Sequence, residues 1–139
     1  MGIDLVAPLR RYSAMSQISS AALEFLGGGL GSALRYAVGA ALPKSDFPWA
    51  TMSVNLIGSF AIGVLAKRFE GSASDDPWRL LLIVGLLGGF TTFSAFSHDN
   101  LALIRSGSTG AALINAGIQV VGGLALAAVG YALTPAAAG

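Results

Sequence analysis

Val84-Gly85-Leu86-Leu87-Gly88-Gly89-Phe90-Thr91-Thr92-Phe93-Ser94-Ala95-Phe96-Ser97-His98-Asp99-Asn100 begins as an apolar span and stops reading like one halfway. Paired glycines followed by paired threonines are weak helix formers in the middle of such a run. A break expected at Gly88-Gly89 frees backbone N–H and C=O groups, which a membrane tolerates only where protein or a water-filled cavity satisfies them. Freed carbonyls are also good ligands for a small hard cation. Beyond the break, Phe93 and Phe96 share a face of the resumed helix, interleaved with hydroxyls.

The rest of the chain makes lipid its natural solvent. Of 139 residues, 54% are hydrophobic and only 11% charged, where a soluble domain carries about 25% charged residues. Four apolar runs are long enough to cross a bilayer as helices: Ala21 to Leu42, Trp49 to Lys67-Arg68, Pro77 to Phe96 with a polar continuation to Arg105, and Ala111 to Leu133. They are continuous rather than alternating, which excludes a barrel. Trp49, Trp78 and Tyr131 stand near run ends, where amphipathic rings favour the headgroup layer. The expected organisation is an N-terminal cytosolic tail over residues 1–20 and a four-span membrane domain over 21–139; Arg10-Arg11 is not followed by a small-residue cleavage site. Positive residues favour a cytoplasmic N-terminus, chiefly through those two arginines. A net charge of +1 offers no face for nucleic acid, the absence of cysteine excludes disulfides and thiolate sites, and one histidine excludes a His-based metal cage within a single subunit.

Polar residues inside the runs carry the chemistry. Gly27, Gly28, Gly29 and Gly31 suit close helix packing. Arg35, in or near hydrocarbon, either snorkels to the interface or draws anions into a vestibule. Asn55 places two amide N–H donors in the second run, as interhelical glue or as a ligand for a desolvated ion. Asn115, Gln119 and Gly123 recur at four-residue spacing, which puts two amides on one face of the fourth helix.

Three stretches in order, Gly28-Gly29-Leu30-Gly31-Ser32-Ala33-Leu34-Arg35-Tyr36, Val54-Asn55-Leu56-Ile57-Gly58-Ser59-Phe60 and Gly88-Gly89-Phe90-Thr91-Thr92-Phe93-Ser94-Ala95-Phe96, resemble the Fluc (CrcB) family of fluoride channels from about Phe25 to Leu133. The resemblance implies an all-α membrane protein with four transmembrane helices per subunit, the third broken mid-span, working as an antiparallel, dual-topology homodimer in the plasma membrane. It implies passive export of fluoride that protects the cell, and no enzymatic step. The carbonyls of Gly88 and Thr91 would hold a structural Na+ on the two-fold axis. Phe93 and Phe96 would line the anion pore, their ring edges being electropositive. Asn55 matches the pore amide, Thr92 and Ser94 the hydroxyls beside the phenylalanines, and Arg35 the vestibule arginine. A neutral lining with a distant charge suits conduction, which needs binding strong enough for entry and weak enough for release.

The chain departs from the family pattern at Ala95, which replaces a hydroxyl, at Asp99, which replaces glutamate, and at Asn115 and Gln119, which stand in a Tyr and Ser track of the fourth helix. Two other readings compete. A small dual-topology, proton-coupled exporter of organic cations would use Glu24, which sits at the start of its span. An intramembrane hydrolase would use Ser94 and His98, four residues apart, but helical geometry aims Asp99 about 100° away from His98 and no Gly-x-Ser-x-Gly turn surrounds Ser94.

Overall fold

The computed structural model describes residues 14–135, and every regular element among them is helical. Helix α1 covers Ala14–Ala41 and α2 Trp49–Arg68. Helix α3 covers residues 77–90, α-helical at Pro77–Arg79, π-helical over Leu80–Leu87 and α-helical again at Gly88–Phe90. Helix α4 is Phe93–Arg105, and α5 runs Thr109–Leu133 with a π-helical segment at Ile118–Gly122. Most of the expected tail, residues 1–13, lies outside the described residues, and α1 begins seven residues before the apolar run Ala21 to Leu42.

Local chemistry explains the boundaries. Lys67 and Arg68 occupy the last turn of α2, where cations complement the helix dipole. Asp76 caps α3 by accepting the Arg79 N–H at 2.9 Å, with Pro77 following at the first helical position. Gly107, at φ +83°, takes the left-handed turn after α4, while the Ser108 N–H bonds the Leu103 carbonyl at 2.8 Å.

Among the described residues three helical stretches are long and apolar enough to cross a membrane: Trp49–Arg68, Pro77–Arg105 and Thr109–Leu133. Helix α1 has the length, but Glu24, Arg35 and a run of glycines make it less apolar than the other three.

Two glycine-mediated pairs organise the bundle. Helix α1 lies on α3, with Gly27 and Gly31 pressed to the Leu81 and Leu86 carbonyls and Gly89 pressed to the Gly28 backbone. Helix α2 lies on α5, with Gly63 against the Ala127 carbonyl and Gly130 against the Phe60 carbonyl. A Cβ at any of these positions would overlap a neighbouring backbone atom, so van der Waals contact between backbones holds the pairs, as in lipid it must. The interior of one chain is thin. Among the described residues Val54 and Asn115 are the large side chains with almost no exposure, while Phe25, Tyr36 and Phe93 remain 78–80% exposed.

Candidate functional site

The backbone leaves helical conformation at Thr91 (φ −82°, ψ 159°) and Thr92 (φ −155°, ψ 114°), not at the glycines. Gly88 is helical at φ −60°, ψ −39°. This corrects the position expected from the sequence by three residues. The reason is packing: Gly89 is the seat of the α1 contact, so its lack of a side chain serves close approach rather than a bend. Thr91 closes α3, its N–H and Oγ1 both donating to the Leu87 carbonyl at 2.9 Å. Thr92 opens α4 as its N-cap, with Oγ1 accepting the Ala95 N–H at 3.2 Å.

Asn55 repairs the gap between them. Its Oδ1 accepts the Thr92 N–H at 2.8 Å, and its Nδ2 donates to the Thr92 carbonyl at 3.1 Å. The side-chain amide thus replaces a missing stretch of backbone, as interior polar groups require. The diverted donors have a consequence. In a continuous helix Thr92 N–H would serve the Gly88 carbonyl and Ala95 N–H the Thr91 carbonyl. Here the first goes to Asn55 and the second to Thr92 Oγ1, so both carbonyls lose their helical partners. Arg35 Nη1 approaches the Thr91 carbonyl at 3.4 Å, and Ser32 Oγ the Gly89 carbonyl at 3.5 Å.

A line of amides leads away from Asn55 through α5 to α4. Asn55 Nδ2 donates to Gln119 Oε1 at 2.7 Å, Gln119 Nε2 to Asn115 Oδ1 at 2.8 Å, and Asn115 Nδ2 to Asn100 Oδ1 at 3.3 Å. Asn100 Nδ2 then donates to the Phe96 carbonyl at 2.8 Å. Asn115 is fully buried, so it lies behind Gln119 rather than on an open track. Both N–H groups of Asn55 are consumed inside the protein, which makes it glue first. Asn100 escaped the sequence reading. Its signal was only that the polar tail of the third run continues on the helix that carries Phe96.

Phe93 and Phe96 are tilted by 40° with ring centroids 5.4 Å apart. They border an open groove of about 410 Å³ that Asn55, Gly88, Thr92 and Gln119 also line. Across the interruption lies a second cavity of about 580 Å³, bordered by Arg35, Thr51, Ser94, Ala95 and His98. Thr92 borders both. Ser94 therefore sits on the Arg35 side, its hydroxyl 3.2 Å from Thr92 Oγ1, rather than between the phenylalanine rings. Asp99 Oδ2 accepts the Thr51 hydroxyl at 2.6 Å, and its Oδ1 lies 3.5 Å from His98 Nδ1. The helical expectation that Asp99 points away from His98 was thus too strict, because adjacent side chains can still fold toward each other. Ser94 bonds Thr92, not His98, which leaves no nucleophile–base pair. Glu24, which a proton-coupled exporter would need, borders neither cavity.

Comparison with known proteins covers almost the whole helical region. Residues 22–131 match the family described as CrcB-like protein, Camphor Resistance (CrcB). A protein of Thermus thermophilus named fluoride-specific ion channel FluC is 49% identical over 118 residues, covering 82% of this chain and 94% of the relative. Proteins of the same name from Rhizobium johnstonii and Novosphingobium aromaticivorans are 47% and 41% identical, with 78% and 77% of this chain and 89% of each relative covered. With the family matched across the interruption, the amides and both helix pairs, the chain belongs to the CrcB family of membrane proteins.

Proposed function

We propose that this chain is a fluoride-selective channel that passes the ion passively across the plasma membrane and so lowers cytoplasmic fluoride. One observation carries the reading within the molecule: a groove edged by Phe93 and Phe96 and backed by neutral amide and hydroxyl groups, with Arg35 set on the far side of the interruption. Ring edges and uncharged donors replace water around a small anion without trapping it. The relatives named fluoride-specific channels support the choice of ion.

The working unit we propose is an antiparallel homodimer of four-span subunits, α1 serving as the first span, α3 and α4 together as the third, broken span, and α5 as the fourth. The open side of the groove and the exposed Phe93 ring leave room for a second copy. The donor set suits Na+ between the two copies. The carbonyls of Gly88 and Thr91 have lost their helical donors, and a Cβ at Gly88 would meet nothing within 4 Å among the described residues. Such a cation would supply positive charge at the subunit junction, while Gly88 keeps the approach clear and Arg35 braces the Thr91 carbonyl from the other side.

Purified protein in liposomes, followed with a fluoride electrode, is expected to release fluoride and retain chloride with no ATP or proton gradient. A folded preparation that releases no fluoride removes the proposal. Labelling of a tag on each terminus from either side of the membrane tests the antiparallel arrangement, which requires both orientations.

A further inference from the structure

The line of amides has a direction, and Asn100 sets one end of it. Every amide oxygen in Asn100, Asn115, Gln119 and Asn55 accepts a hydrogen bond, and every amide nitrogen donates one. The two ends can only be read one way. At one end the Phe96 carbonyl accepts and cannot donate, so Asn100 turns its nitrogen there and its oxygen toward Asn115. At the other end the Thr92 N–H donates and cannot accept, so Asn55 presents its oxygen. Reversing any amide between these ends sets oxygen against oxygen and nitrogen against nitrogen, losing two bonds, one at each end of that amide.

We propose that Asn100, which borders neither cavity, is a positioning residue that completes, through Asn115 and from the end opposite Asn55, the hold on which way the Gln119 amide faces the anion groove. Gln119 is the member of the line, besides Asn55, that borders the groove with Phe93 and Phe96. Asn55 has spent both N–H groups on Thr92 and Gln119, whereas Gln119 spends one on Asn115 and keeps a second. In the anchored orientation the groove therefore meets an N–H donor. In the reversed orientation it meets a carbonyl oxygen, which repels an anion. Asn100 acts through Asn115, whose complete burial denies it water as a substitute partner.

The proposal rests on the fluoride-channel reading, and the test separates the two. Fluoride efflux from liposomes is measured for the unmodified chain, Asn100→Leu, Gln119→Met and the double variant. No efflux from the unmodified chain defeats the channel reading itself. With efflux established, Asn100→Leu is expected to slow it about tenfold, the scale of one misplaced buried hydrogen bond. The double variant is expected to be no slower than Gln119→Met alone, because a residue acting only through Gln119 has nothing left to orient. Normal efflux in Asn100→Leu, or a loss that multiplies with that of Gln119→Met, overturns the proposal. Should Asn100→Leu not fold, Asn100→Ser serves: its hydroxyl bonds the carbonyl four residues back but is too short to hold Asn115. It is expected to give the same slowing and the same non-additivity, and normal efflux there overturns the proposal equally.

Discussion

Asn55 and Thr92 exchange a reciprocal pair of hydrogen bonds across two helices, N–H to Oδ1 at 2.8 Å and Nδ2 to carbonyl at 3.1 Å. An amide side chain matches a backbone peptide in both donor and acceptor, so this pairing splices Thr92 into the bundle where its own helices leave it unpaired. The extended turn is thus held rather than loose. Its position follows from α2, since Asn55 is carried on the helix whose Gly63 fixes it against α5.

Removing that splice should destabilise the fold as well as stop conduction. Asn55→Leu leaves two part-buried backbone groups and the Gln119 oxygen without partners, each costing up to about 1–3 kcal/mol. Asn55→Asp keeps the acceptor for the Thr92 N–H but loses both donors. Thermal unfolding in detergent should rank unmodified chain above Asn55→Asp above Asn55→Leu, with fluoride efflux lost in both variants. Equal melting of Asn55→Leu and the unmodified chain would show that the splice contributes nothing.

The aromatic edges are separable from the fold. Phe93 is 78% exposed in the single chain, so Phe93→Ile removes little packing within it. Both Phe93→Ile and Phe96→Ile are expected to reduce fluoride efflux while cross-linking still traps a dimer. Unchanged efflux in both single variants refutes a role for the rings in the ion path.

The helices were legible because hydropathy and caps agree: Pro77 and Arg68 bound elements where the apolar runs begin and stop. The interruption was legible as a region and misplaced within it. Intrinsic propensity pointed at Gly88-Gly89, but a glycine costs a helix only about 1 kcal/mol, which close packing against Gly28 offsets. Thr92 carried the better signal, a capping hydroxyl three residues ahead of the N–H it accepts. Asn115 was legible as polar but not as buried, since a single helix face does not reveal that Asn100 on another helix covers it. Three-dimensional pairing of this kind has no local trace.

Away from the groove, one ion pair ties two helix ends. Lys67 Nζ bonds Glu70 Oε2 at 2.6 Å, Tyr131 OH bonds Glu70 Oε1 at 2.7 Å, and the ammonium lies 4.9 Å from the Tyr131 ring centroid. The Lys67 bond, and then that of Tyr131, holds the Glu70 carboxyl below its usual value. A lowered carboxylate contributes stability that is complete above the unfolded value of about 4.3 and disappears as pH falls through the lower folded one. Glu70→Gln should therefore melt slightly lower than the unmodified chain at pH 7, and the gap should close as pH falls through the folded value. The gap should also narrow in high salt, because the group is exposed.

Gly63 and Gly88 should respond oppositely to the same methyl group. An added methyl favours a helix by about 1 kcal/mol over glycine, so any loss on Gly→Ala must come from contact. At Gly63 the new Cβ overlaps the Ala127 carbonyl, and parting two backbones exceeds that gain. Gly63→Ala is expected to lower the melting temperature of the chain in any oligomeric state. At Gly88 the Cβ meets nothing within 4 Å among the described residues, so the isolated subunit should be unharmed. If a second copy and a cation occupy that side, Gly88→Ala weakens the dimer alone, seen as a rise in the monomer fraction when the protein is diluted in detergent. A dimer that resists dilution as well as the unmodified one places the subunit junction elsewhere, because no contact among the described residues masks the effect.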